Sequence, residues 1–131
     1  MIFIDSNVPM YLVGGPHPNR SILAEFLRSN SGELYVTSAE VYQEVIHRYL
    51  AIDRREAIQD CFSFLDRFTE NVHSISRADV EAARELAGSY HTLSGRDCLH
   101  LAVMKRHGLS RILTFDHSFL PLPGIECLPR R

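Results

Sequence analysis

The stretch Met1-Ile2-Phe3-Ile4-Asp5-Ser6-Asn7 reads as a short continuous apolar run that ends on an acid. An apolar run of this kind is the mark of a parallel strand buried on both faces. In open α/β sheets the carboxyl ends of such strands carry the ligand-binding groups. The same pattern returns near the other end, where Arg111-Ile112-Leu113-Thr114-Phe115-Asp116 is again an apolar strand followed by an acid. Two strand-end carboxylates from opposite ends of the chain meet only if the sheet brings their strands side by side, and together they suggest a divalent-cation site.

Working outward from these two strands, the chain alternates strand and helix. A helix from Ser6 or Asn7 to Val13 follows the first strand, and Gly14-Gly15-Pro16-His17-Pro18 is a loop leading to a second helix, Asn19 to Ser29. Leu34 to Val36 reads as a strand, and Thr37 or Ser38 caps a helix reaching about Leu50. Asp53 is expected to cap a fourth helix with Ala57, Cys61, Phe64, Leu65 and Phe68 on its apolar face. Val72 to Ile75 reads as a strand, and Ser76-Arg77-Ala78-Asp79 opens a helix through a capping box. Ser94-Gly95-Arg96-Asp97 opens the last helix, which stops at Gly108, and Ile125 to Leu128 is a terminal edge segment. The expected fold is α/β: a three-layer α/β/α sandwich around a small, mostly parallel sheet, formed as one domain over residues 1–131. Strand order is not legible.

Composition excludes several classes. With 45% hydrophobic and 23% charged residues the chain has the balance of a soluble globular protein, and no apolar run is long enough to span a bilayer. Asp5 interrupts the first apolar run and no basic segment precedes it, so no signal peptide is expected. Cys61, Cys98 and Cys127 are odd in number and have no zinc or redox spacing, which fits a reducing cytoplasm. The net charge of −2 argues against a bulk polyanion binder. Thirteen of the fourteen basic side chains are arginine, a residue suited to phosphate, although a genomic bias produces the same count.

Among the acids, Asp5 and Asp116 stand out as strand-end residues, Glu44 as a carboxylate near Val41 and Val45 on a helix, and Asp97 as an acid one turn into a helix. Converging carboxylates suit Mg²⁺ or Mn²⁺, which neutralise the mutual repulsion and support hydrolysis of a phosphate ester. Each residue also has a structural reading. Asp5 can N-cap the following helix, Asp97 can complete a capping box with Ser94, and Asp116 can serve a turn. Glu44 can pair with Arg48, and Glu40 competes for its place one turn earlier. His100 shares a helical face with Asp97 and reads as a core or wall histidine.

Taken together, Ile4-Asp5-Ser6-Asn7, the Ser38 to Glu44 segment, Asp97-Cys98-Leu99-His100-Leu101-Ala102 and Thr114-Phe115-Asp116-His117-Ser118-Phe119 resemble the PIN-domain ribonucleases, most of all the VapC-type toxins of toxin–antitoxin pairs. The resemblance covers essentially the whole chain. It implies an endoribonuclease dependent on Mg²⁺ or Mn²⁺, with Asp5, Glu44, Asp97 and Asp116 as its catalytic, metal-binding acids. In this reading Asp5 and Asp97 hold the main ion, while Asp116 and Glu44 complete the pocket. The implied reaction leaves a 3′-hydroxyl and a 5′-phosphate, on single-stranded or loop RNA. Ser6, Asn7 and Thr114 match supporting positions, and Arg96 is a candidate phosphate clamp or a plain helix-start residue. The resemblance further implies a homodimer and a cognate antitoxin partner, with Asn7 to Leu27 and Asp53 to Phe68 as candidate interface segments or plain core. Ser118 departs from the pattern, since many relatives carry a further acid there. A housekeeping RNA-processing nuclease and an inactive scaffold binding protein or RNA are the alternatives. A receiver domain lacks its paired acid and late lysine here, and a dehalogenase-type phosphatase lacks its Asp-x-Asp.

Overall fold

The computed structural model describes residues 1–130. Its elements are β1 (Ile2–Ile4), α1 (Asn7–Val13), α2 (Pro18–Ser29), β2 (Tyr35–Ser38), α3 (Ala39–Ala51), α4 (Glu56–Phe68), β3 (Thr69–His73), α5 (Arg77–Ser89), α6 (Gly95–Arg106), β4 (Arg111–Leu113), a 3-10 turn (His117–Phe119) and β5 (Glu126–Leu128). All strand pairs are parallel, in the order β3-β2-β1-β4-β5. The alternating α/β pattern therefore yields a parallel sheet flanked by six helices, as the sequence leads one to expect.

The order places β1 at the centre. Phe3 lies opposite Val36 of β2 and Ile112 of β4, and all three are fully buried. From β1 the chain builds outward to β2 and β3 on one side, then crosses to β4 and β5 on the other. The reversal leaves a crevice at the carboxyl end of β1, where Asp5 stands. Helices α1, α2, α3 and α4 pack among themselves, and α5 packs on α6.

Local chemistry sets the helix ends. Pro9 sits in the first turn of α1, where its missing N–H costs no hydrogen bond. At the other end of α1 a Cβ on Gly14 would lie 2.9 Å from the Met10 carbonyl oxygen, so the close turn requires glycine. Both expected capping boxes are present, Ser76 with Asp79 on α5 and Ser94 with Asp97 on α6. Arg106, in the last turn of α6, grips Asp79 with both arms of its guanidinium, at 2.6 and 3.0 Å. That clamp fastens α6, the carrier of Asp97 and His100, onto α5.

Strand β2 runs from Tyr35 to Ser38 rather than Leu34 to Val36 and α2 starts at Pro18 rather than Asn19, and two further boundaries differ from the sequence reading for a clear physical reason. Asp53 does not cap α4. It takes a left-handed conformation (φ 55°) inside the turn, and Arg55 occupies the N-cap position. Aspartate tolerates that conformation better than most residues, so a turn residue resembles a cap in sequence. Strand β3 begins at Thr69, directly off α4, and ends at His73 rather than running from Val72 to Ile75. Its Thr-Glu-Asn start carries no apolar alternation, because this edge strand is largely exposed.

Candidate active site

The site is built on the tips of β1 and β4. The end of β1 is tied from both sides: the Asp5 N–H donates to the Leu113 carbonyl at 3.1 Å, and the Thr37 side-chain hydroxyl of β2 donates to the Ile4 carbonyl at 2.9 Å. The Asp5 carboxylate accepts the Ser6 N–H at Oδ1 (2.7 Å) and the Thr114 hydroxyl at Oδ2 (2.7 Å). It is thus held by its immediate neighbour and by β4, and it is not the N-cap of α1, a position that Ser6 occupies. Asn7 spans the same gap. Its amide nitrogen donates to Thr114 Oγ1 at 3.1 Å, and its amide oxygen accepts the Phe115 N–H at 3.3 Å. Thr114 Oγ1 also accepts the Asp116 N–H at 2.9 Å. One hydroxyl thereby uses its donor and both acceptor positions to order two of the four expected acids.

Glu44, not Glu40, is the α3 acid that faces this crevice. It is buried, and its Oε1 lies 3.1 Å from Nε2 of His100, so the pairing with Arg48 is displaced. Nε2 of His100 is also 3.7 Å from Asp5 Oδ1. Ligand-capable atoms of Asp5, Glu44 and His100 lie within 4.8 Å of one another, the one such group among the described residues. Asp97 and Asp116 fall outside it. Asp97 uses its carboxylate in the α6 capping box, taking the Ser94 N–H at 3.4 Å, and its charge is still felt by the site. Asp116 is half-buried and accepts the backbone N–H of residue 118 at 2.9 Å, a bond that does not depend on the serine side chain at the departing position.

The electrostatics follow from crowding. Burial pushes the Asp5 carboxyl above its ordinary range, and Glu44 adds to the push, while His100, Thr114 and Ser6 oppose it. Burial likewise raises Asp97, helped by the charges of Asp116 and Asp5. For Glu44 burial is outweighed by the hydrogen bond and charge of His100, the Ser6 hydroxyl and the Arg96 guanidinium, so it stays below the usual range. His100 loses some basicity to burial but regains more from Glu44, Asp5 and Asp97, and ends above its ordinary value. His100, which the sequence reads as a core or wall histidine, is buried and joins the site; its position one turn after Asp97 is the available signal.

A parallel sheet with acids gathered around the tip of its central strand defines an α/β class whose chemistry sits at the carboxyl edge. Comparison with known proteins narrows this. The family model for the PIN domain matches residues 2–124. Ribonuclease VapC13 of Mycobacterium tuberculosis is 49% identical over 130 residues, covering 98% of this chain and 99% of that protein, and a VapC ribonuclease of Mycobacterium bovis matches equally. The crystal structure of Mycobacterium tuberculosis VapC20, described as a sarcin–ricin loop cleaving toxin, superposes with a TM-score of 0.77 at 18% identity, over 92% of this chain and 94% of that one. A toxin–antitoxin complex from Klebsiella pneumoniae gives 0.71 at 21% identity, over 95% of each chain. The chain belongs to the PIN-domain family, among its VapC ribonucleases.

Proposed function

We infer that this protein is an endoribonuclease, the toxin of a toxin–antitoxin pair, and that its acids bind a divalent cation, Mg²⁺ or Mn²⁺. The observation that carries the reading is the convergence of Asp5 and Glu44 in a buried crevice, with Asp97 close enough to Asp116 and Asp5 for their charges to raise its carboxyl. Buried carboxylates of like charge are costly unless a cation joins them, and an all-oxygen carboxylate set suits a hard ion. The residues therefore fit the group. When bound, such an ion supplies Lewis-acid stabilisation of a phosphodiester and a more acidic water.

The chain's own residues do the rest. Asp5 and Asp97 hold the ion, with Asp5 oriented by Thr114 and Asn7, and Asp116 completes the negative pocket. Glu44 is kept in place by His100. Arg96, whose charge reaches Glu44, is the candidate phosphate clamp. A cleft of about 310 Å³ has Asn7 and Tyr11 on its wall and Arg48 and Arg54 among its lining residues. None of the four acids lines it, but Asn7 bonds Thr114 beside Asp5, so a single strand of RNA lying in the cleft would run from the arginines toward the acids. Toxin–antitoxin structures among the similar folds support an antitoxin partner, and the homodimer stays part of the proposal.

Cleavage of a mixed RNA pool by antitoxin-free protein tests this reading, with and without Mn²⁺, beside Asp5→Asn and Asp97→Asn. Metal-dependent cleavage abolished in both variants supports it. Intact RNA together with no calorimetric Mn²⁺ binding returns the protein to the scaffold reading.

A further inference from the structure

We propose that His100 is a positioning residue of this site: its Nε2–H holds the Glu44 carboxylate beside Asp5, and the imidazole is not a ligand of the cation. The inference rests on the metal-binding reading above. His100 has no exposed surface and lies against Phe3, ring centroids 5.6 Å apart. An imidazole buried this deeply ordinarily has both nitrogens paired. Here Nδ1 has no hydrogen-bond partner among the described residues, while Nε2 faces Glu44 Oε1 at 3.1 Å. A leucine fills similar space without an orphaned nitrogen, so what the imidazole contributes is the contact at Nε2.

The orphan also decides between two roles for that nitrogen. Three ligand-capable atoms within 4.8 Å invite a mixed site in which Nε2 binds the ion directly. A neutral histidine that ligates through Nε2 carries its proton on Nδ1, and ligating histidines almost always donate that proton to an acceptor. The proton on Nδ1 would be a buried donor without a partner, the rarer and costlier kind of orphan. In the neutral ring with its proton on Nε2, Glu44 receives a hydrogen bond and Nδ1 is left only as an unused acceptor; in the imidazolium Nε2 likewise donates to Glu44 and has no lone pair to offer a cation. The second arrangement satisfies more of the groups present. It also explains how a carboxylate on α3 stays aimed at Asp5, toward which it is otherwise repelled.

Calorimetry with Mn²⁺ on wild type, His100→Gln and His100→Leu tests the role, with pulsed EPR of bound Mn²⁺ to detect nitrogen coupling. The glutamine amide places an N–H near the position of Nε2, whereas leucine keeps bulk and removes the donor. The expected result is Mn²⁺ affinity within about twofold of wild type for His100→Gln and a loss of about 10- to 100-fold for His100→Leu, the usual range for groups supporting metal ligands. In a Glu44→Ala background the leucine change should add no further loss. No imidazole nitrogen coupling should appear. Nitrogen coupling that disappears in His100→Gln overturns the inference in favour of direct ligation, and wild-type affinity in His100→Leu overturns it altogether. Should His100→Leu fail to fold, the wild-type EPR and the glutamine variant decide by the same criteria. Wild-type protein that binds no Mn²⁺ removes the metal reading itself and this inference with it; Asp5→Asn supplies the non-binding control.

Discussion

Thr114, at the tip of β4, donates its hydroxyl across 2.7 Å to Oδ2 of Asp5, at the tip of β1. The two residues are 109 positions apart in the chain, and this bond joins the acid at one end of the sequence to the strand at the other. Thr114→Val keeps the shape and deletes the hydroxyl, leaving the Asp116 N–H without its acceptor and the Asp5 carboxylate less constrained. We expect a stability loss of about 1–3 kcal/mol, the usual cost of leaving buried polar groups unpaired. Activity should fall by about 10- to 100-fold, as when groups supporting metal ligands are removed. Thr114→Ser should restore both. Chemical denaturation and RNA cleavage rates measure the two effects, and a valine variant with full activity would contradict the role.

For Asp97 the proposed metal-binding role and stability pull in opposite directions. Burial and the charge of Asp116 raise its carboxyl, so the folded protein binds this proton more tightly than the unfolded chain, whose ordinary value is 3.8. The favourable contribution is complete below that value and is lost as pH rises through the folded value. With the carboxyl ionised, metal-free protein therefore carries the repulsion of Asp116 and Asp5. Asp97→Asn removes the charge and retains a side-chain oxygen for the Ser94 cap, so the metal-free variant should melt higher than wild type at pH 7, with the difference closing in acid. Mn²⁺ should reverse the order, because an ion at 100 times its Kd adds about 2.7 kcal/mol to a protein that binds it. Thermal melts with EDTA and with Mn²⁺ give the comparison.

Asp5 was legible because it interrupts an apolar run, and such a run has few places to be except the middle of a parallel sheet. Glu44 was harder. Glu40 lies one turn earlier, and helical spacing alone does not say which of the two faces inward; the contact with His100 on α6 does. His100 itself was legible only as far as its shared face with Asp97. That its Nε2 meets a residue 56 positions away depends on how α3 and α6 close over the sheet, and no local pattern records it. β3 was misplaced for a related reason. An exposed edge strand owes its form to pairing with β2, so its own residues carry no period-two signal.

The clamp between Arg106 and Asp79 governs where α6 sits. Burial alone would raise the Asp79 carboxyl, but the Ser76 N–H, Arg106 and the Ser76 hydroxyl together hold it below its ordinary 3.8. A depressed carboxyl contributes stability that is present above the unfolded value and lost as pH falls through the folded one. Wild type should therefore lose stability below about pH 4, with a shallower acid limb in Asp79→Asn. At pH 7 that variant should be less stable by about 1–3 kcal/mol, since Arg106 loses its charged partner. Urea titrations between pH 3 and pH 7 test the sign; a variant as stable as wild type at pH 7 would show that the clamp contributes nothing.

Arg48 and Arg54 line the cleft that begins at Asn7, and both are exposed. The pairing of Arg54 with Glu56 at 2.8 Å is a surface contact, too weak to withhold it from a phosphate. An acidic centre repels an RNA backbone, so cations set back from the reacting phosphate must offset that repulsion on approach. Cations set back in this way would meet the strand equally before and during cleavage, and such uniform contacts set KM rather than kcat. Arg48→Ala with Arg54→Ala should therefore raise KM about tenfold while kcat stays within about twofold. Each lost phosphate contact should also flatten the dependence of log affinity on log salt by about 0.7 for a single strand. Steady-state cleavage at 50 to 200 mM salt, a range in which such contacts are sensitive, reads both parameters. An unchanged salt slope would mean that RNA reaches the acids by another path, whereas a fall in kcat alone would place these arginines at the reacting phosphate itself.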